Sequence, residues 1–238
     1  MIRGLVLVAF GGAALSAASI GASGAWSRHH WHLPVFIVSS SDSGDGPLLA
    51  LKGDEKTGTR SLAWSGGETL SFDLPAQVTY TQGPAVSMVI SGPEVLLAHV
   101  VLHGDTLRLD RNVRGLNTHN ALSIAISGPS LHEFRLNSAL TLDLRAISTD
   151  SLSVRLDGAG KVMAQGSAHS VMLRIDGAGD ADLGKLAVSD ADIRIDGIGH
   201  VVAAPTGNAE VRIAGAGKVT LLKRPQHLRQ EIEGAGRC

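Results

Sequence analysis

The chain has 238 residues, a formal net charge of −1, 44% hydrophobic and 3% aromatic residues, and 29 glycines. A balance this near neutral gives no bulk attraction to nucleic acid or an anionic membrane. The length fits one large core or two small domains, and an aliphatic, glycine-rich, aromatic-poor composition suits a β protein more than a helical one.

The first residues read as an export signal. One positive charge at Arg3 precedes an uncharged run from Gly4 to Ser27, most apolar over Leu5–Phe10. Ser23-Gly24-Ala25 offers the small residues a signal peptidase needs, so residues 1–25 are expected to be a signal peptide cleaved near Ala25. An uncleaved anchor is the other reading, since the run is long enough to span a bilayer, but its glycine and serine content disfavours it. No cysteine follows the run to support a lipoprotein anchor.

Residues 26–66 read as a linker and N-terminal segment. His29, His30 and His32 lie close enough to collect a metal ion, yet no carboxylate or cysteine stands beside them to complete a site. Strand patterns follow at Thr69–Leu74, Gln77–Thr81, Val86–Ile90, Val95–Leu102 and Thr106–Leu109. Gly83-Pro84, Gly92-Pro93 and Gly104-Asp105 punctuate them as turn dipeptides. Arg111–Asn120 reads as a longer loop, after which Ala121–Ser127 and His132–Leu136 lead into a repeat.

That repeat dominates the C-terminal half. Val154-Arg155-Leu156-Asp157-Gly158-Ala159-Gly160 returns as 173–179, 193–199 and 211–217, with a fragment at 230–236 and a degenerate copy at 134–140. The leading glycines, Gly158, Gly177, Gly197, Gly215 and Gly234, set a period of 18 to 20 residues, the signature of a solenoid. Before each glycine, apolar and polar residues alternate, as half-buried strands do. A βαβ unit needs about 30 residues, so the repeat suits one coil of a β-helix with parallel pairing between coils, wound right-handed. The expected fold is all-β: a solenoid with coils of about 19 residues, preceded by irregular antiparallel β segments. Leu136, Leu156, Ile175, Ile195, Ile213 and Ile232 would form one inner column. Gly158, Gly160, Gly177, Gly179, Gly197, Gly199, Gly215, Gly217, Gly234 and Gly236 would form the turns, each Gly-x-Gly bending sharply because glycine reaches positive φ without a Cβ penalty.

Asp73-Leu74-Pro75, Tyr80-Thr81-Gln82-Gly83, Val89-Ile90-Ser91-Gly92 and Leu107-Arg108-Leu109, followed by Gly-Ala-Gly coils, resemble the bacterial GIN domain family (DUF2807), the head domain of auto-transporter adhesins. The resemblance rests on the order of segments over roughly residues 67–238. It implies a β-helix-like fold in a protein of the periplasm or cell surface. Asn137-Ser138-Ala139-Leu140 departs from the pattern in lacking both glycines.

Two charged columns mark the expected solvent face. Arg135, Arg155, Arg174, Arg194 and Arg212 stand two residues before Asn137, Asp157, Asp176, Asp196 and Ala214, and residues i and i+2 of a strand share a face. Arg155, Arg174, Arg194 and Arg212 are candidate ligand-binding residues, since arginines at coil spacing can hold acidic glycans. The competing reading is a structural lattice in which arginine neutralises stacked aspartates. Stacked Asp157, Asp176 and Asp196 also invite a glycosidase reading. Against it, near-identical surroundings give no reason for two pKa values to part, and no aromatic platform occurs from residue 137 onward. No catalytic role, cofactor or metal is expected. Gly158-Ala159-Gly160-Lys161 lacks the rest of a phosphate loop, and Asp precedes rather than follows the glycines of the calcium repeat. Cys238, the only thiol, can form no internal disulfide. The resulting expectation is a non-catalytic surface that meets an envelope glycan or another surface protein. A structural envelope element without ligand is the alternative.

Overall fold

This computed structural model describes residues 56–110, 122–129 and 131–238, together with the backbone of 49–50 and 113–114. The expected signal peptide, the histidine cluster and most of the 111–120 loop lie outside the described residues. No helix among the described residues is long and apolar enough to cross a membrane.

Each full coil is one long bent strand. β11 (Leu140–Leu156), β12 (Ala159–Ile175) and β13 (Ala178–Ile195) pair in parallel with their neighbours along almost their whole length. Register shifts at Leu144/Ile147 and Met163/Gln165 mark a first bend, and the unpaired residues Asp150 and His169 mark a second. A coil therefore has three segments between glycine turns. β14 (Ile198–Pro205), β15 (Asn208–Ile213), β16 (Ala216–Leu221) and β17 (His227–Ile232) continue the stack in shorter pieces. Leu156 pairs with Ile175, Ile175 with Ile195, Ile195 with Ile213, and Ile213 with Ile232, steps of 19, 20, 18 and 19 residues.

The stack begins earlier than the repeat does. β3 (Thr69–Asp73) and β4 (Ala76–Gln82) pair in parallel with β10 (Glu133–Leu136) and β11, so residues 69–82 already form a coil. Beyond that coil lie β7 (Thr106–Leu109) on β3 and β9 (Leu122–Gly128) on β4, again parallel. The outermost turn is thus later in sequence than the one it covers. β5 (Ser87–Pro93), β6 (Val100–His103) and β2 (Thr57–Ser61) supply the antiparallel pairs that close this end. The expected strand Val95–Leu102 is different: its first part is a single helical turn, α1 (Glu94–Leu97), started by Pro93 with its fixed φ of −55°. Only Val100–His103 of that stretch pairs as strand. The strand expected to stop at Gly92-Pro93 runs through it. The short strands β1 (Leu49–Ala50) and β8 (Val113–Arg114) pair with each other in parallel.

One inner column runs Leu107, Phe72, Leu136, Leu156, Ile175, Ile195 and Ile213, each at most 1% exposed. Ile232, the last member, is 38% exposed because no coil covers it among the described residues. Tyr80 is fully buried where the chain returns from the outermost turn. Its hydroxyl donates to the Gly128 carbonyl at 3.0 Å and accepts from the Leu131 N–H at 3.2 Å.

Candidate functional site

The charged columns occupy the outer face of the sheet made by β10, the last part of β11, β12 and β13, and β15. Arg155 Nε donates to both oxygens of Asp157 at 2.9 and 3.0 Å, and its outer nitrogen reaches Asp176 in the next coil at 3.1 Å. Arg174 repeats the motif, at 2.8 Å to both oxygens of Asp176 and 2.8 Å to Asp196. Each of these guanidiniums is thus shared between its own coil and the next. The Arg174 hydrogen bond is the main cause that holds the Asp176 carboxyl below its ordinary 3.8. Arg212 turns the other way, onto Glu210 of its own strand, with Glu231 at 3.5 Å. Arg194 lies at the corresponding position but makes no ion pair among the described residues: Ala214 replaces the aspartate of the next coil, and Asp196 of its own strand is held by Arg174. Arg155, Arg174, Arg194 and Arg212 are therefore one column in space, with three of the four already occupied by carboxylates.

The glycine corner is built by close approach rather than by dihedral freedom. Of the ten repeat glycines, only Gly234 has positive φ, which corrects the expectation for Gly158, Gly177, Gly197 and Gly215. A Cβ on Gly177 would lie 1.9 Å from the Gly158 carbonyl oxygen, and one on Gly197 or Gly215 would meet the glycine behind it at the same distance. Those oxygens accept hydrogen bonds from the next coil: Ala178 to Gly158 at 3.0 Å, Ile198 to Gly177 at 2.9 Å. The hydrogen bonds between corners set a spacing that leaves no room for a side chain.

Beside the ladder, two shallow grooves run across the coils. One, of about 680 Å³, lies over the middle segments and is lined by His132, Thr149, Asp150, His169, Ser189 and Lys223 among others. The other, of about 720 Å³, lies where the middle segments meet the outer face of the sheet. Ser151, Ser153, Ser170, Asp190, Asp192, Asn208 and Glu210 line it above an aliphatic floor that includes Leu152, Val171 and Ala191, and Met172 stands 55% exposed in its wall. Asp190 accepts from the Asn208 backbone N–H at 2.8 Å and from its side-chain amide at 2.6 Å; the backbone bond chiefly holds its carboxyl below the ordinary range. Asp192 Oδ1, by contrast, is buried without any hydrogen-bond partner. Buried polar atoms of native proteins are nearly always paired, so this oxygen, in a residue that lines the groove, is an acceptor whose hydrogen bond is unmet.

Sequence reasoning passed over Asp192 in favour of the column two positions on. The visible signal is an acid two residues before the arginine, at Glu133, Asp192 and Glu210, where the other coils carry Ser153 and Met172. Glu133 and Glu210 pair with Arg135 and Arg212; Asp192 makes no ion pair among the described residues. The histidines among the described residues form no cluster: His99 meets Asp110 at 2.8 Å, His132 meets Thr149 at 3.0 Å, and His169 stands 3.6 Å from Asp190. Among the described residues no group of three or more His, Cys, Asp or Glu side chains is placed to hold a metal ion.

Parallel coils stitched at a glycine corner, a self-paired charge ladder and an open polar groove define a β-solenoid surface module. Over residues 68–225 the chain matches DUF2807, "Putative auto-transporter adhesin, head GIN domain", and it belongs to that family. Among solved structures it is similar to a putative adhesin from Bacteroides fragilis, at 18% identity over 81% of this chain and 98% of that one, with a TM-score of 0.65. It is also similar to a putative adhesin from Parabacteroides merdae, at 15% identity over 79% and 97% of the two chains, with a TM-score of 0.46. A putative lipid binding protein from Parabacteroides distasonis aligns at 15% identity over 81% and 100%, with a TM-score of 0.44. At these identities the first likeness bears on fold alone. No curated protein matches the chain.

Proposed function

We propose that the protein is an exported, non-catalytic module of the cell envelope whose second groove binds a polyhydroxylated ligand of the glycan class. The observation that carries this reading is the unpartnered, buried Oδ1 of Asp192, a residue that lines the groove of about 720 Å³. A sugar hydroxyl is a donor of the right kind for it once the Asp192 side chain turns toward the groove, and Ser151, Ser153, Ser170 and Asn208 add the hydroxyls and amide that fix a polyol over an aliphatic floor. The family description speaks of adhesins, and the apolar stretch at 5–25 supports export to the periplasm or the cell surface. A non-catalytic role is favoured because Asp157, Asp176 and Asp196 are bound to arginines. A general acid needs a carboxyl raised toward neutrality, and Asp176 moves the other way.

A screen of neutral and acidic glycans, followed by titration of any hit against two variants, tests the reading. Asp192→Ala should weaken binding about tenfold, the usual cost of a lost hydrogen bond to a charged group. Arg174→Gln should leave affinity within about twofold, because its guanidinium is already engaged. Unchanged affinity in Asp192→Ala, or release of new reducing ends by the wild type, would overturn it.

A further inference from the structure

The two ends of the solenoid are finished differently. At the first end, β2, β5, β6 and α1 cover the outermost coil. At the other, the chain covers the edge of β16: Arg237 bridges to Lys218, its N–H donating to the Gly217 carbonyl at 2.9 Å and its carbonyl accepting from the Val219 N–H at 2.8 Å. That tail lies along β16. The outer edge of β17 pairs with no strand among the described residues, and all six of its residues are exposed, Leu228 at 48% and Ile232 at 38%. An open strand edge is a template for another strand.

We propose that a second copy of this chain docks on that edge, β17 against β17, antiparallel about a twofold axis centred on Gln230. The argument is one of register. β17 continues the inner column through Leu228, Gln230 and Ile232, which pair with the inward residues Ala209, Val211 and Ile213, while Arg229 and Glu231 face outward. A twofold axis normal to the sheet must keep inner residues opposite inner ones, so the axis falls on a residue, and Arg229, Gln230 and Glu231 are the choices near the middle of the strand that keep most of it paired. Centring on Arg229 sets arginine against arginine, and centring on Glu231 sets glutamate against glutamate; like charges directly opposite destabilise a strand pair. Centring on Gln230 instead puts Leu228 opposite the second copy's Ile232, closing both exposed ends of the core. It also puts Arg229 opposite Glu231 and His227 opposite Glu233, twice each. Arg229 and Glu231 are free to accept this, being 75% and 54% exposed with only loose pairs behind them, at 3.7 Å to Glu210 and 3.5 Å to Arg212. A closed twofold pair also uses up the edge, which a head-to-tail stack would not.

Sedimentation equilibrium should find a concentration-dependent dimer. Arg229→Glu and Glu231→Arg, each checked for a wild-type circular dichroism spectrum, should each weaken self-association about tenfold or more, since each reverses two charge pairs. Mixed together they should form a heterodimer, because every facing pair is then of opposite sign. Gln230→Cys in a Cys238→Ser background should give an intermolecular disulfide under mild oxidation, since directly opposed residues of an antiparallel pair place their Cα atoms about 5 Å apart, within the range a disulfide spans. A monomeric wild type, assemblies larger than a dimer, variants that self-associate like the wild type, a mixture that stays monomeric, or failure of the cysteine to link would each overturn the proposal.

Discussion

At the level of single residues, the repeat glycines separate two reasons for glycine that a sequence does not distinguish. Gly104 sits at φ 59° in the hairpin turn between β6 and β7, a conformation that disfavours side chains. Gly177 has no such need; its missing Cβ makes room for the carbonyl of the coil behind, 1.9 Å from where that atom would be. The same gap is 3.1 Å at Gly199, and at Gly83 nothing lies within 4 Å. Alanine substitutions should therefore grade by crowding rather than by dihedral. Gly177→Ala should cost on the order of 3 kcal/mol, because backbone cannot move aside without breaking the corner hydrogen bonds, and Gly199→Ala about 1 kcal/mol. Gly83→Ala should stay within about 0.5 kcal/mol, as surface changes do. Urea midpoints compare the three directly, and equal midpoints for Gly177→Ala and Gly83→Ala would mean the corner is looser than its geometry.

Among elements, the strand stack turns a local pattern into a shared charge ladder. Arg155 and Arg174 each lie between two aspartates one coil apart, so the ladder joins coils as well as neutralising them. Asp176 has its folded pKa lowered, chiefly by the Arg174 hydrogen bond, so its contribution is present above the unfolded value near 3.8 and is lost as pH falls through the folded one. Arg174→Gln should reduce the thermal midpoint slightly at neutral pH and flatten its decline below about pH 4, since Asp176 then titrates closer to its unfolded value. Arg194→Gln should change neither, because Arg194 makes no ion pair among the described residues. Melting temperature followed from pH 7 to pH 2.5 checks both, and identical curves for wild type and Arg174→Gln would remove the ladder from the stability argument. The coil period, the inner column and these paired columns were legible from residue 134 onward because they repeat. The groove was less legible, because its wall uses a column that repeats only in part: Glu133, Asp192 and Glu210 are acids, but Ser153, Met172 and Arg229 interrupt them. Nor does a sequence show that the acid at 192, unlike those at 133 and 210, has no arginine on it.

For the molecule as a whole, the order of stacking differs from the order of sequence, and this gives the two ends different physics. Coils 140–213 contact their sequence neighbours, so their stability accrues coil by coil. The first end requires the chain to leave the 69–82 coil, build the turn that covers it, and return at Leu131 to resume beneath. No periodicity announces that return, which is why residues 69–128 read from sequence as irregular strands. Tyr80 holds the return in place. Its buried phenol, pushed above its ordinary 10.0 by desolvation, stays protonated, donates to Gly128 and accepts from Leu131, and its ring packs 5.4 Å from that of Phe134 on the resuming strand. Tyr80→Phe keeps the ring and leaves the buried Leu131 N–H unpaired, while the Gly128 carbonyl keeps its bond from the Gly83 N–H, at a cost of about 1–3 kcal/mol. Because a solenoid opens locally from its weakest end, hydrogen exchange should quicken across 122–136 while 159–203 keeps wild-type protection. Equal acceleration in both regions would show that the return and the repeat unfold as one cooperative unit, and that the 69–82 coil is no separate cap.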